Sequence, residues 1–470
     1  MSDQTHTDYD FRKGFTVYPD ARPGEHPGAK ADYVDHGARP IDPLRYYSRE
    51  EADLEWQKMW TRTWQFAGLT HDLEKKGDYF RIDIGPESII IVRTVEGDAG
   101  VRAFYNVCPH RANRIVHQDF GSLGENGCFK CDFHGWSYEK DGRLAGIRDQ
   151  FLFAEETVGH RPGLKSVDCG VWNSLIFIRM TSEGISLAEH LNAMADHMAV
   201  FPLEKFRVIG DLQTVWDANW KTALDAFLEF YHADDVHPEV IPFSATHETQ
   251  YDLYDHGLSR MIIPYGLVSG RHEDRDTVNA FLKAYIGFYG GNSEDYTDVK
   301  GFEFWKALAD TKRKWAARHG YTDFFDKLDD QRVTDDWNYF VFPNITINFF
   351  AEALLIQIFR PHATDPDKSY YRAISMHLPV ARGSNECAID ISSIGPAATS
   401  EPDWDGSDRP DIRTPASLED FGAVLSQDAL RVPEVQKGLH SRAFDALLFG
   451  NSEIRIRHYL AEIDRYLGRR

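Results

Sequence analysis

The stretch Cys108-Pro109-His110 and, 20 residues further on, Cys131-Asp132-Phe133-His134-Gly135-Trp136 puts one cysteine and one histidine into each of two short, matched segments. Two thiolates and two imidazoles in such an arrangement make a metal site, and the pairing separates the candidate metals. A [2Fe–2S] centre that holds one iron by thiolates and the other by imidazoles fits one residue of each kind per loop. Zinc sites built from the same four ligands usually group Cys with Cys and His with His. The set Cys108, His110, Cys131 and His134 therefore favours iron–sulfur, with zinc as the competitor. Gly135 lets backbone approach a cluster closely, and Trp136 excludes water, one of the levers on reduction potential.

Working outward, the 470-residue chain exceeds the size at which one hydrophobic core usually stops growing, so at least two domains are expected. A formal charge of −22 argues against a nucleic-acid backbone or an anionic membrane surface as partner. There is no run of eighteen apolar residues and no signal-peptide core, which reads as a cytoplasmic protein. The cysteines Cys108, Cys128, Cys131, Cys169 and Cys387 form no disulfide framework for a chain this long.

Residues 1–45 read as an arm with scattered prolines. Ser48 with Glu51 makes a capping box ahead of apolar residues at helical spacing, Trp56 to Trp64. From Asp78 the period becomes two: Phe80, Ile82 and Ile84 alternate with polar neighbours, then come Ile89–Val92 and Val101–Val107, which leads into the first metal loop. Past the second loop, Asp141-Gly142 signals a hairpin and Val171–Met180 a strand. Ser186 with Glu189 caps a helix with Leu187, Leu191, Met194 and Met198 on one stripe. Phe302–Arg318 reads as a helix stopped by Gly320, strands return between 337 and 394, the last of them Cys387–Ile394, and a helical tail runs from Glu453 to Tyr466. The expected organisation is α+β. An arm and helix at 1–64 pack with the catalytic domain, a small all-β unit at 65–182 holds the cluster loops, and a domain at 183–470 has an antiparallel sheet covered by helices.

A second constellation, Asp225-Ala226-Phe227-Leu228-Glu229-Phe230-Tyr231-His232 followed by His237-Pro238, concentrates acids and histidines. On one continuous helix Glu229 and His232 share a face, whereas His232 and His237 diverge. Pro238 pushes His237 out of the α region, so the helix ends there and His237 can turn back toward a metal that His232 faces. Alone, two histidines five apart are weak evidence among 20 in the chain. An upstream electron-transfer centre raises their weight, since two histidines and one carboxylate leave open positions on Fe(II) for dioxygen and substrate.

Taken together these residues resemble the large (alpha) subunit of Rieske non-haem iron oxygenases, the ring-hydroxylating dioxygenase family, along essentially the whole chain. Cys108-Pro109-His110-Arg111-Ala112 and Cys131-Asp132-Phe133-His134-Gly135-Trp136-Ser137-Tyr138 look like its two cluster loops, and Asn219-Trp220-Lys221 through His237 looks like its iron-binding segment. The resemblance implies a helix-grip catalytic fold and a third iron ligand, Asp428, in Gln427-Asp428-Ala429, with Asp420 and Glu434 as runners-up. It also implies that Glu229 bridges His134 of a neighbouring subunit to the mononuclear iron. Glu229 stands where many ring dihydroxylases have aspartate, and Ala226 where an asparagine is frequent; the longer acid resembles branches that include monooxygenases and demethylases. Phe133 replaces a more usual tyrosine, and Cys128 reads as a bystander thiol.

The function implied is a terminal oxygenase that takes electrons from a reductase or ferredoxin and uses O2 to hydroxylate an aromatic or other hydrophobic substrate. Its cofactors would be a [2Fe–2S] cluster and mononuclear Fe(II), in a homotrimer with or without a small beta subunit. The alternative is monooxygenation or demethylation of a non-aromatic substrate such as a steroid or a methylated amine. A bare electron carrier needs only the β unit and leaves the rest of the chain unexplained. Phe227, Phe349 and Phe350 read as plain core rather than pocket.

Overall fold

The computed structural model describes residues 17–269, 280–296, 299, 301–380, 409 and 411–469. Two compact units emerge, Leu54–His190 and a second made of Met1–Asp53 with Leu191–Arg470. The segments 54–64 and 183–190 thus group with the β unit. Trp56 packs against that unit's apolar core, the Trp64 indole N–H donates to Ile185 O at 3.0 Å, and the Arg179 guanidinium lies 4.6 Å over the Trp64 ring.

The smaller unit is built on ten strands: β1 (Gln65–Leu69), β2 (Asp78–Ile84), β3 (Glu87–Arg93), β4 (Val101–Tyr105), β5 (Phe120–Ser122), β6 (Phe129–Lys130), β7 (Ser137–Tyr138), β8 (Leu144–Gly146), β9 (Ser166–Trp172) and β10 (Leu175–Arg179). Seven form one antiparallel sheet in the order β1-β10-β9-β4-β3-β2-β5, and β6-β7-β8 form a small second sheet. The uninterrupted run Ile89–Val92 has a plain cause. Successive side chains of β3 point to opposite faces, and both faces are buried: Ile89 and Ile91 enter one apolar cluster, Ile90 and Val92 the cluster that also holds Cys108, Cys131 and Trp136.

One expectation fails here. Val171–Met180 is not a single strand but a hairpin of β9 and β10, because Asn173 and Ser174 both adopt positive φ (45° and 68°) and close a two-residue turn. The Asp141-Gly142 turn between β7 and β8 forms as expected, with Gly142 at φ 84°.

The larger unit has a seven-stranded antiparallel sheet made of β11 (Arg207–Trp216), β12 (Gln250–Leu253), β13 (Ser259–Ile263), β14 (Asp336–Val341), β15 (Ile345–Phe349), β16 (Ala353–Pro361) and β17 (Ser369–His377), in the order β11-β17-β16-β15-β14-β13-β12. The last four match the expected run of strands; the expected strand Cys387–Ile394 lies outside the described residues. The helix Trp220–Asp225 lies against β16 and β17, and the helix Ile454–Leu467 against β12 and β13. The arm is docked rather than loose at residues 27–31, where the buried Arg260 guanidinium donates to Pro27 O and Ala29 O, and Lys30 and the Ala31 N–H reach Asp252.

Candidate metal centres

The iron-binding segment is not one continuous helix. Asn219 caps Trp220–Asp225 by accepting the Lys221 N–H at 3.0 Å; the chain then leaves helical geometry and re-enters it only for Ala233–Val236. Glu229 causes the break. Its Oε2 accepts the backbone N–H groups of Tyr231 and His232, donors that a continuous helix would pair with carbonyls. His237 leaves the α region as Pro238 requires, at φ −124° and ψ 57°.

This break brings three side chains together. His232, His237 and Asp428 present ligand atoms within 4.8 Å of one another. Asp428 Oδ1 lies 3.2 Å from His237 Nε2 and 3.6 Å from His232 Nε2, and the two Nε2 atoms are 3.2 Å apart. Asp428 and His237 are buried, and His232 keeps 21% of its side chain accessible. The far nitrogens fix the tautomers. Nδ1 of His232 is 2.5 Å from Glu229 Oε1, and Nδ1 of His237 is 2.6 Å from Gln427 Oε1. Both partners are acceptors, so each Nδ1 carries the hydrogen and each Nε2 presents a lone pair. Two lone pairs and a carboxylate oxygen converging with no donor between them fit a cation, and two histidines with one carboxylate fit non-haem Fe(II) with open positions. Burial opposes a positive charge on His232, yet Glu229, with Asp428 behind it, lifts its pKa to about 9, so the Nε2 lone pair becomes available to a cation as that cation displaces the proton.

The helix Ala423–Leu439 supplies both Gln427 and Asp428, and Gln436 of the same helix fixes it to the histidine segment. Gln436 Oε1 accepts from the Asn219 N–H at 3.1 Å and from the Thr222 hydroxyl at 2.6 Å. The two other acids considered from sequence take no part. Asp420 caps a short turn by accepting the Ala416 and Ser417 N–H groups, and Glu434 pairs with Lys437 at the exposed surface.

A cavity opens beside the triad. Phe227 lines it, while Phe349 and Phe350 are buried elsewhere in the core. Its sheet-side floor was not foreseen: Asp336 and Asn338 of β14, Asn348 of β15 and Gln357 of β16 replace the aliphatic residues usual in a covered sheet. The available signal was polar residues at alternate positions of strands otherwise buried on both faces.

In the smaller unit the two loops fold alike. The Ala112 N–H donates to Cys108 O and the Gly135 N–H to Cys131 O, each at 2.9 Å and each from a residue at positive φ, 61° and 76°. Cys108 and Cys131 are buried; the Cys108 sulfur lies 3.1 Å from the Tyr138 hydroxyl, and Asn113 Nδ2 reaches the Cys131 sulfur at 3.6 Å. The His110 ring stacks on Trp136 at 4.8 Å and meets the His134 ring edge-on at 4.6 Å. His110 Nδ1 is shut from solvent with no hydrogen-bond partner. A buried orphan nitrogen beside two buried thiols fits an inorganic cluster held by both loops. Burial pushes the Cys108 thiol up, the cost that metal binding overcomes by deprotonating it. Cys128 is exposed, as a bystander would be.

Comparisons with known proteins agree with this layout. Residues 63–151 match the Rieske [2Fe–2S] domain, and residues 203–469 match the ring hydroxylating alpha subunit (catalytic domain). The chain is 31% identical over 194 residues to the glycine betaine monooxygenase oxygenase subunit of Chromohalobacter salexigens, covering 40% of this chain and 41% of that protein. It is 31% identical over 205 residues to the benzene 1,2-dioxygenase subunit alpha of Pseudomonas putida, covering 42% and 44%. The matched stretches thus span less than half of these relatives. A quaternary ammonium Rieske monooxygenase of solved structure superposes with a TM-score of 0.63 at 16% identity, over 92% of this chain and 96% of that one, a likeness that shows the fold. The chain belongs to the Rieske non-haem iron oxygenase alpha subunit family, with a Rieske [2Fe–2S] domain ahead of the family's catalytic domain.

Proposed function

We propose that this chain is a terminal monooxygenase that hydroxylates a methyl group on nitrogen in a small polar substrate, taking electrons from a reductase, directly or through a ferredoxin. The observation that carries this reading is the polar floor of the cavity beside His232, His237 and Asp428. Asn338, Asn348 and Gln357 are hydrogen-bonded within the protein, whereas Asp336 Oδ1 has no partner there, so a hydrocarbon ring would leave that oxygen unpaired at a cost of roughly 1–3 kcal/mol. Likeness to a glycine betaine monooxygenase points the same way, and the reading placed second from sequence moves ahead of aromatic dihydroxylation.

In this reading Cys108, His110, Cys131 and His134 hold the [2Fe–2S] cluster, and His232, His237 and Asp428 hold iron. Iron held by these residues would supply reductive activation of O2. In the overall balance a quaternary N-methylammonium consumes one O2, two electrons and two protons; one oxygen atom enters a C–H bond of the methyl group to give the N-hydroxymethyl ammonium, and the other leaves as water. The C–N bond of this carbinol then breaks, its electron pair staying on nitrogen, and the hydroxymethyl carbon departs as formaldehyde with release of a proton, leaving the tertiary amine. The chain's own residues do the positioning. Glu229 and Gln427 hold each imidazole with Nε2 inward, and the amides of the floor orient the polar part of the substrate. Glu229 uses three of about four acceptor sites, on His232 Nδ1 and on two backbone N–H groups, and leaves one for His134 of a neighbouring protomer in a trimer.

The test couples the iron-loaded protein to a reductase and follows O2 uptake and formaldehyde with a panel of methylated amines and a panel of aromatic compounds. Formaldehyde in step with O2 uptake is expected. A cis-diol carrying both atoms of labelled O2 from an aromatic substrate, with no formaldehyde from any amine, would overturn the reading.

A further inference from the structure

Asp336 is the first residue of β14, pairs across the sheet with Ile263 of β13, and is 3% exposed. Its Oδ2 accepts from Asn348 Nδ2 at 2.7 Å. Its Oδ1 is shut from solvent and has no hydrogen-bond partner. Buried carboxylates in folded proteins are normally paired or fully hydrogen-bonded, so half a carboxylate facing a cavity wants an occupant. Among the described residues no lysine or arginine forms an ion pair with it. Arg455, the cation that acts on it at longer range, is committed elsewhere: Nε donates to Ser259 Oγ at 3.0 Å and Nη2 to Asn338 Oδ1 at 2.8 Å.

The surroundings of Asp336 narrow the chemistry. Tyr265, Phe227, Met261 and Ile263 line the same cavity, so one carboxyl group, which burial raises to about 7 and an incoming cation would favour in its ionised form, sits among aromatic and aliphatic surface. A methylated ammonium is complementary to that combination, since its charge pairs with a carboxylate while its methyl groups pack on aromatic faces. Of the cavity's other acids, Glu229 is engaged by His232, and Asp428, 3.2 Å from His237 Nε2, is the carboxylate that would hold iron.

We propose that Asp336 is the specificity-determining residue of the site, pairing through Oδ1 with the positively charged, N-methylated nitrogen of the substrate. The proposal rests on the N-methyl reading above and adds the group that recognises the charge. It places the nitrogen toward β14, the side of the cavity where Tyr265 and Asp336 act on one another.

The test uses the full chain loaded with cluster and iron, titrated calorimetrically with choline and with its uncharged carbon isostere, 3,3-dimethylbutan-1-ol. Choline is expected to bind at least about tenfold more tightly, and Asp336→Asn to lose about tenfold or more for choline while leaving the isostere within about twofold. Equal binding of the two probes, no binding of choline, or choline affinity unchanged in Asp336→Asn would each overturn the proposal. The comparison within the wild type stands even if the variant folds poorly. Choline binding through Asp336 without amine oxidation would sink the N-methyl reading alone; amine oxidation with an unchanged KM in Asp336→Asn would sink this proposal alone.

Discussion

His237 shows how much of a metal site lies one residue behind its ligands. Its Nδ1 is held by Gln427, the neighbour of Asp428 in sequence, and that contact decides which nitrogen faces His232 and Asp428, where a metal would be held. Replacing Gln427 with leucine leaves a buried N–H without an acceptor and frees the ring to change tautomer. Iron affinity should fall about 10- to 100-fold, read by iron titration of protein that keeps its cluster but has been stripped of the mononuclear iron, with the visible absorption of the cluster unchanged; unchanged affinity would make Gln427 a bystander. Cys108, His110, Cys131 and His134 stood out because their spacing and residue types are unusual, whereas His232 and His237, weak as a pair five apart, gained weight only from that upstream set. Asp428 did not stand out. It is one of 74 acidic residues, and only resemblance separated it from Asp420 and Glu434. Gln427 and Asp336 went unread because nothing local marks an amide or an acid as facing a cavity before the chain folds.

Among the elements, the cluster loops make the sharpest case. Each turns through a residue at positive φ that donates its N–H to a cysteine carbonyl four residues back, and one of the two is alanine, not glycine. A Cβ on Gly135 would meet nothing nearer than 3.8 Å in the protein, so the glycine answers a backbone need rather than a lack of space there. Gly135→Ala should therefore cost about 1–2 kcal/mol through φ alone, and Ala112→Gly should be neutral or mildly stabilising. Thermal melts of the holoprotein check both; a Gly135→Ala protein as stable as the wild type would show that the turn has another conformation open to it. Sequence periodicity found β2, β3 and β4, where alternation or an unbroken apolar run marks the buried faces. It missed the hairpin at Asn173-Ser174, since Val171–Met180 reads as one apolar run and the turn depends on two non-glycine residues accepting positive φ. It also missed β11, β12 and β13, whose buried polar residues, such as Asp211, Asp252 and Arg260, form buried ion pairs and break the apolar pattern that marks a strand. The helix expected through Glu229 gave way for a related reason, a side chain taking the place of backbone hydrogen bonds.

At the scale of the whole molecule, buried ionisable groups couple stability to pH in opposite senses. Burial raises Asp225, which accepts from the Tyr46 and Tyr459 hydroxyls, to about 7; Asp335 and Asp336 rise to about 7 for the same reason. An unfolded aspartate titrates near about 3.9, so between there and about pH 7 the folded state holds a proton that the unfolded state has lost. The stability each such group contributes is full below about pH 4 and is lost as pH rises through about 7, at about 1.4 kcal/mol per pH unit and about 4 kcal/mol in all. His197 and His458 work the other way. Burial lowers them to about 3 and about 4, so the unfolded state holds the extra proton below its own pKa near about 6.5. Their contribution is present above that value and lost as pH falls through the folded values. The two sets partly cancel across pH 4–7, and the wild-type curve alone does not separate them. The difference between wild type and Asp225→Asn does. Urea unfolding at half-unit steps from pH 5 to 8 should show the stability gap moving against the wild type by about 1.4 kcal/mol per unit up to pH 7 and levelling off above it. A gap that is flat with pH would mean that Asp225 titrates in the fold as it does in the open chain, and that its two tyrosines hold an ordinary carboxylate.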